Sequence, residues 1–251
     1  MLALIGHPGD PVCAALQARA DRVGVSAVTV TDPASWTITV ELPGAPGARL
    51  TGPSGERISC AVNRGLPVTA GLSAAESSDL LAAWWACLAL LPEPVVNRPD
   101  ATGFVPTPDV RASVLVTEGW LERLRFAGPA VNLHDAARGS FLYRLGRQGS
   151  TPGAAVLAAT AFDPQQTWRL MLAGSTVVEL GRRAEVTEEQ QNQVGEITQQ
   201  LQSAGQVCTL VVLTWCRNRV VVVAANPVPS LAHYAGCEEQ VHDALFDWLG
   251  L

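Results

Sequence analysis

Short apolar runs alternate with a helical pattern at the start of the chain. Residues 2–5 are all apolar, and the positions from Val12 to Arg19 follow a helical spacing that ends at Gly24. Residues 25–30 then predict a second strand. A strand, a turn with glycine, a helix and a second strand make a βαβ unit. This order places residues 7–10 at the carboxyl end of the first strand, where open α/β sheets bind ligands.

Two further strand patterns and one long helical pattern follow. Residues 37–42 alternate polar and apolar side chains and predict a half-buried strand, and residues 58–63 predict another. We interpret the Gly- and Pro-rich residues 43–53 between them as a turn. Ser73 and Glu76 have the spacing of a capping box, which predicts the start of a long apolar helix.

The chain changes character near residue 98. Residues 94–97 predict a brief strand, and the proline-rich residues 99–112 have no clear periodicity. Such a stretch is typical of a boundary between domains. The predicted domains are residues 1–98, a small βαβ front domain; residues 99–153, a short middle lobe; and residues 154–251, a C-terminal domain.

The last hundred residues predict a mainly antiparallel sheet with two helices. The strand patterns cover residues 154–162, 167–173, 176–180, 207–213 and 220–225. The helical patterns cover residues 187–203 and 237–249, and the second of them is amphipathic. The predicted class is therefore α/β: a small βαβ front domain followed by an α+β domain with a mainly antiparallel sheet.

The charged residues exclude several kinds of function. The net charge is −6, and all 17 basic residues are arginines, a bias typical of a GC-rich bacterial genome. Because nucleic acids need clustered cations, we expect no nucleic acid partner. A chain without lysine also has no lysine for a Schiff base, for base catalysis or for binding a phosphate.

Cysteine usage and hydropathy indicate where the protein works. The six cysteines are scattered without a CxxC pair and predict small buried residues in a reducing compartment. The first residues lack the features of a signal peptide, and the apolar run 80–91 is too short to span a bilayer. We therefore expect a cytoplasmic protein without a membrane partner.

Three passages carry a resemblance to a known family: residues 95–99, residues 167–174 and residues 220–229. In this order, they resemble the exit from the front domain, the Glu-x-Arg strand with its glycine turn, and the terminal Glu-x-Asn-x-x-Pro strand of the ATP-grasp superfamily. That superfamily includes glutathione synthetases, D-alanine ligases and ribosomal-protein glutamate ligases. The resemblance covers most of the chain except residues 100–155. It implies a front domain and two lobes that hold ATP, with a shortened middle lobe in this chain. Family members activate a carboxylate as an acyl phosphate, which an amine then attacks.

Most of the site residues that the resemblance implies are replaced. The family's terminal strand binds magnesium through a Glu and an Asn, and this chain has Ala224 and Asn226 at those positions. Thr167 replaces the Glu of the Glu-x-Arg strand, whereas Arg169 remains. An acidic ligand is also expected within residues 210–214, and none of these is acidic. Arg169 and Asn226 are therefore the surviving candidates for a nucleotide or carboxylate site; alternatively, Asn226 caps a turn and Arg169 forms a surface pair.

Arginines are the candidates for the role of the family's phosphate-binding lysines. An arginine can bind phosphate in place of lysine, and the middle segment offers Arg138, Arg144 and Arg147. We predict no metal ligand, and ATP with magnesium is expected only if the chain is an active ligase. In that case Glu179 or Asp163 would have to supply the carboxylate oxygens that magnesium needs.

Two other groups of polar residues have simpler interpretations than catalysis. His7 and Asp10 form a candidate catalytic pair, but an aspartate before a helix is more often an N-cap. His233, Cys237 and His242 are candidate zinc ligands, although His242 falls off the helical face that the other two share. We favour the cap and expect no zinc site.

Three functions remain open from the sequence. The first is a non-catalytic scaffold or regulatory partner of a biosynthetic enzyme, favoured by the missing lysines and carboxylates and by a charged fraction of only 16%. The second is an active ATP-dependent carboxylate–amine ligase. The third is a module that binds a peptide or small acid through the first loop and a cleft with Arg169 and Asn226. The first function requires a protein partner, and a homodimer is compatible with the sequence.

Overall fold

A computed structural model describes ten stretches of the chain: residues 1–41, 47–67, 69–100, 103–105, 143–145, 155–157, 167–182, 185–203, 205–216 and 219–251. The chain divides into two compact units. The first comprises Met1–Pro106 and Ser230–Leu251, and the second comprises Thr107–Pro229. The predicted fold class is confirmed, because one unit has a parallel α/β sheet and the other a mainly antiparallel sheet with a helix.

The first unit is built around a four-stranded parallel sheet. Its elements are β1 (Leu2–Ile5), α1 (Pro11–Val23), β2 (Ala27–Val30), β3 (Thr37–Glu41), β4 (Gly47–Thr51), β5 (Cys60–Asn63), α2 (Ala74–Leu90), β6 (Val95–Val96) and, at the end of the chain, α4 (Glu238–Leu249). The strand order is β2-β1-β5-β6, and all the pairs are parallel. The carboxyl ends of β1 and β5 are therefore neighbours at one edge of the sheet.

Local capping rules explain where the two long helices of this unit begin and end. The carboxylate of Asp10 accepts a hydrogen bond from the backbone of Val12, and Gly24 ends α1 with φ +73°. At the start of α2, Ser73 and Glu76 exchange the two hydrogen bonds of a capping box. These caps satisfy backbone N–H groups that have no partner within a helix.

A β-hairpin covers part of the apolar core beside α2, and half of this hairpin was not predicted. Residues 43–53 were interpreted as a turn, but β4 lies within them and pairs antiparallel with β3. Leu50 of β4 is fully buried in the cluster that contains Trp84 and Trp36, whose rings meet edge to face. The interpretation as a turn was wrong because this burial outweighs the weak strand propensity of a Gly- and Pro-rich stretch.

The second unit contains a four-stranded antiparallel sheet. Its elements are β7 (Tyr143–Leu145), β8 (Ala155–Leu157), β9 (Thr167–Ala173), β10 (Thr176–Arg182), α3 (Glu188–Ser203), β11 (Cys208–Cys216) and β12 (Arg219–Asn226). The strand order is β10-β9-β11-β12, and β7 and β8 form a separate antiparallel pair. Most of the predicted middle lobe, residues 99–153, lies outside the described residues.

The final helix belongs to the first unit, whereas the sequence analysis grouped it with residues 154–251. Arg19 of α1 forms an ion pair of 2.6 Å with Asp243 of α4. Val241, Leu245 and other apolar residues of α4 are buried. An amphipathic pattern shows that a helix covers a core but does not show which core it covers. Within the described part of the chain, no helix is long and apolar enough to cross a membrane.

Candidate functional site

The register of the second sheet separates its two faces. On one face, Leu170 of β9 and Val211 of β11 pack in one cluster with residues of α3 such as Ile197. The opposite face, called here the far face, carries the alternate positions. One row across the strands joins Arg169, Val212 and Ala224, and the next joins Met171, Leu210 and Asn226. Residues paired in this way share one face, so the side chains of Arg169 and Val212 lie on the same face as those of Met171, Leu210 and Asn226.

The far face therefore brings Arg169 and Asn226 to one side of the sheet, with β11 between their strands. The amide oxygen Oδ1 of Asn226 accepts a hydrogen bond of 2.9 Å from the backbone N–H of Val228. This bond closes the turn that follows β12. Arg144 lies in β7, while Arg138, Arg147 and Asp163 lie outside the described residues.

The described residues of the far face do not fit a magnesium site. Leu210 is 1% exposed and Val212 is 8% exposed, so both strand positions beside β12 are apolar and buried. Ala224 has no side-chain oxygen, and Asn226 already uses its Oδ1 within the turn. Magnesium at a nucleotide site takes carboxylate oxygens together with phosphate oxygens. Glu179 does not supply them here, because its pairing with Leu170 places it on the face of the sheet next to α3.

A second candidate site lies at the carboxyl edge of the first sheet, and it contains a residue that the sequence analysis missed. Arg64 directly follows β5, and its Nε donates a hydrogen bond of 2.8 Å to Oδ2 of Asp10, which directly precedes α1. The Arg64 side chain is 5% exposed and that of Asp10 is 12% exposed. The signal available in the sequence was a charged residue placed directly after a buried strand.

Asp10 caps α1 and pairs with Arg64, and both contacts favour the ionised form of its carboxyl group. Burial raises the pKa of its carboxyl group, but the hydrogen bond and charge of Arg64, with the N–H groups of Val12 and Cys13, outweigh this and hold the pKa below its usual value. The N-cap interpretation of Asp10 agrees with the hydrogen bond from Val12. Asp10 thus remains ionised at neutral pH and neutralises most of the charge of Arg64.

The histidines near the end of the chain have structural partners. His233 accepts a hydrogen bond of 3.0 Å at Nδ1 from the backbone of Ser230, and Nε2 of His242 lies 3.3 Å from the hydroxyl of Tyr234. Burial lowers the pKa of His242. Throughout the described stretches, no three His, Cys, Asp or Glu residues gather as metal ligands would.

The comparisons with known proteins identify the fold. No family model matches the sequence, and no curated protein matches it. Among solved structures, the chain is similar to macrocyclase MdnC of Microcystis aeruginosa MRC bound with the precursor peptide MdnA, with a TM-score of 0.62 and 11% identity over all of both chains. It is also similar to a RiPP-associated ATP-grasp ligase of Chryseobacterium gregarium in complex with ADP and a leader and core peptide, with a TM-score of 0.54 and 11% identity over 99% of this chain and 96% of the other. A third similar structure is a RimK domain ATP-grasp protein of Sphaerobacter thermophilus DSM 20745, with a TM-score of 0.51 and 20% identity over 100% of this chain and 99% of the other.

The chain has an ATP-grasp-like fold, as the resemblance in its sequence predicted. At identities of 11% to 20%, these likenesses define the fold and not the activity.

Proposed function

We propose that the chain is a non-catalytic ATP-grasp-fold protein that serves as a scaffold or regulatory partner of a peptide-modifying biosynthetic enzyme. The apolar far face carries this proposal. At the positions where the family's magnesium ligands are expected, the second sheet has Leu210, Val212 and Ala224.

The chemistry of phosphoryl transfer explains why apolar residues at these positions matter. Catalysis of this reaction consists mostly of positioning and of neutralising charge with metal ions. An arginine such as Arg169 can replace a lysine on a phosphate, because a guanidinium binds phosphate well. An arginine cannot replace a carboxylate as a metal ligand. The described part of the far face therefore retains a cationic residue without the means to hold the metal.

The expected partner is a peptide or a peptide-modifying protein. Two of the similar structures contain precursor, leader or core peptides. The low charged fraction of this chain, 16%, suits a surface that a partner covers, since charged residues are depleted at the centres of interfaces. A cytoplasmic location remains a prediction from the sequence.

Thermal unfolding with millimolar Mg·ATP and Mg·ADP tests the proposal. A nucleotide at about 100 times its dissociation constant stabilises a folded protein by roughly 2.7 kcal/mol. For a chain of this length, that raises the unfolding temperature by about 5 to 10 °C. We expect no magnesium-dependent shift, and the same samples with EDTA provide the control.

The active-ligase alternative predicts a different result in two measurements. A clear magnesium-dependent rise in the unfolding temperature, together with release of ADP when a carboxylate peptide and an amine are supplied, would contradict the proposal. A rise without ADP release would retain the non-catalytic function but show that the chain still binds nucleotide.

A further inference from the structure

The arginine at the carboxyl edge of the first sheet is buried with part of its hydrogen-bonding capacity unused. Arg64 donates from Nε to Asp10, but its Nη1 is also buried and has no acceptor among the described residues. A guanidinium has five N–H donors in a rigid plane, and a buried charged donor without an acceptor is costly. The unused donor indicates an oxygen that the described part of the protein does not supply.

The loop between β1 and α1 lies beside the backbone that follows this arginine. His7, Pro8 and Gly9 are all exposed, and Nε2 of His7 lies 4.0 Å from the position that a Cβ on Gly65 would occupy. The His7 ring is therefore next to the backbone that directly follows Arg64. Because His7, Pro8 and Gly9 are exposed, a ligand that contacts this loop displaces little packed apolar surface.

The charges at this edge select the kind of ligand. Asp10 neutralises most of the charge of Arg64, and the N-terminus of the 13-residue helix α1 adds a partial positive charge of about half a unit. The His7 ring offers a further N–H donor. A single carboxylate matches this modest excess of positive charge, whereas a phosphate dianion would face the charge of Asp10 without enough cations around it.

We propose that Arg64 and His7 bind the carboxylate group of a small acid or of an acidic peptide side chain at the carboxyl edge of the first sheet. Nη1 of Arg64 donates to one carboxylate oxygen, and the His7 ring donates to the other. This site lies wholly within the first unit and does not depend on the proposed function, which is argued from the second.

Arginine side-chain NMR tests this inference directly. In protein labelled uniformly with ¹³C and ¹⁵N, the Nε–H signal of Arg64 is assigned through bonds to its own backbone. Sodium acetate is then titrated at constant pH and ionic strength, with sodium chloride as the balancing salt. We expect the Arg64 signal to shift and to saturate in the millimolar range, as suits one carboxylate on one guanidinium.

Matched variants and ligands make the outcome decisive. His7→Gln leaves the buried pair intact and should weaken acetate binding about threefold, within the range for one hydrogen bond. Arg57→Gln removes an arginine that is 70% exposed in the same unit and should leave the affinity unchanged. The proposal would be overturned if the Arg64 signal shifted linearly with acetate and by the same amount as with sodium chloride. It would also be overturned if inorganic phosphate bound more tightly than acetate. If acetate saturates the signal, glutamate as a free acid and an acetylated Glu-containing peptide distinguish the two sources of the carboxylate.

Discussion

The carboxyl edge of the first sheet and the far face of the second sheet differ in whether their buried side chains are charged. At the edge, Asp10 and Arg64 keep an ion pair that is almost withdrawn from water. On the far face, the described positions between Arg169 and Asn226 are apolar, and Leu210 is fully buried. A buried ion pair is seldom the most stable way to fill a space, because desolvation opposes the attraction of the charges. The edge thus buries a charged pair where the proposed carboxylate would bind, whereas Leu210, Val212 and Ala224 of the far face carry no charge.

The largest expected effect comes from breaking the pair at the edge. Asp10→Ala leaves the Arg64 charge buried without its partner and also removes the N-cap of α1, so we expect a loss of about 3 to 5 kcal/mol. Urea unfolding of the whole chain measures it. Asp32→Ala is the matched control, because Asp32 also precedes a proline and accepts from the backbone of Ala34 but forms no such buried pair. We expect this control to cost about 0.5 to 1 kcal/mol; an equal cost for both variants would show that the ion pair contributes nothing.

The ion pair of Asp10 and Arg64 makes the free energy of unfolding depend on pH. The folded-state pKa of Asp10 is lowered from its ordinary value of 3.8, so its contribution to stability is complete above that value and is lost as the pH falls further. The difference in unfolding free energy between the wild type and Asp10→Ala should therefore shrink when the pH is lowered from 5 towards 2.5. A difference that stays constant over this range would contradict the assigned role of the carboxylate.

A carboxylate introduced on the far face should destabilise the protein, whereas the carboxylate of Asp10 stabilises it. Leu210→Asp places an acid at a position that is fully buried, and we expect a loss of about 3 kcal/mol or more at pH 7. Burial raises the pKa of such an acid, so the loss should grow as the pH rises from about 4 to 7. Leu210→Met controls for packing and should cost less than about 1.5 kcal/mol. If Leu210→Asp is tolerated and the variant also acquires a magnesium-dependent thermal shift, the far face still accommodates a metal site and the comparison fails.

The smallest expected effect concerns Asn226, which the sequence resemblance matched to a magnesium ligand of the ATP-grasp superfamily. Asn226→Ala removes the hydrogen bond to Val228 at the end of β12 and should cost about 0.5 to 1.5 kcal/mol. Asn226→Asp keeps an oxygen acceptor and should cost less. Thermal unfolding in the presence of Mg·ADP should give the same shift for all three proteins, since the turn is the role of this side chain. A nucleotide-dependent shift present only in the wild type would assign Asn226 to a binding site.

Local rules predicted the elements that carry their own signals. Asp10 and Ser73 were identified as caps because capping depends on residues within one helical turn, and the antiparallel strands of the second unit followed from apolar periodicity. The strand β4 and the position of α4 were not predicted, since both depend on burial against distant parts of the chain. For the same reason Arg64 was missed: only the pairing of β1 with β5 brings it beside Asp10, 54 residues earlier.

The return of α4 to the first unit affects the order in which the protein is made. Domains generally fold as units while the chain is synthesised, the N-terminal one first. Here, residues 107–229 leave the ribosome before Ser230–Leu251, which complete the first unit. Until then Arg19 has no Asp243 to pair with, and the surface that α4 covers stays open. The second unit can therefore be complete while the first is still unfinished, so the last helix of the chain decides when the first unit reaches its final stability.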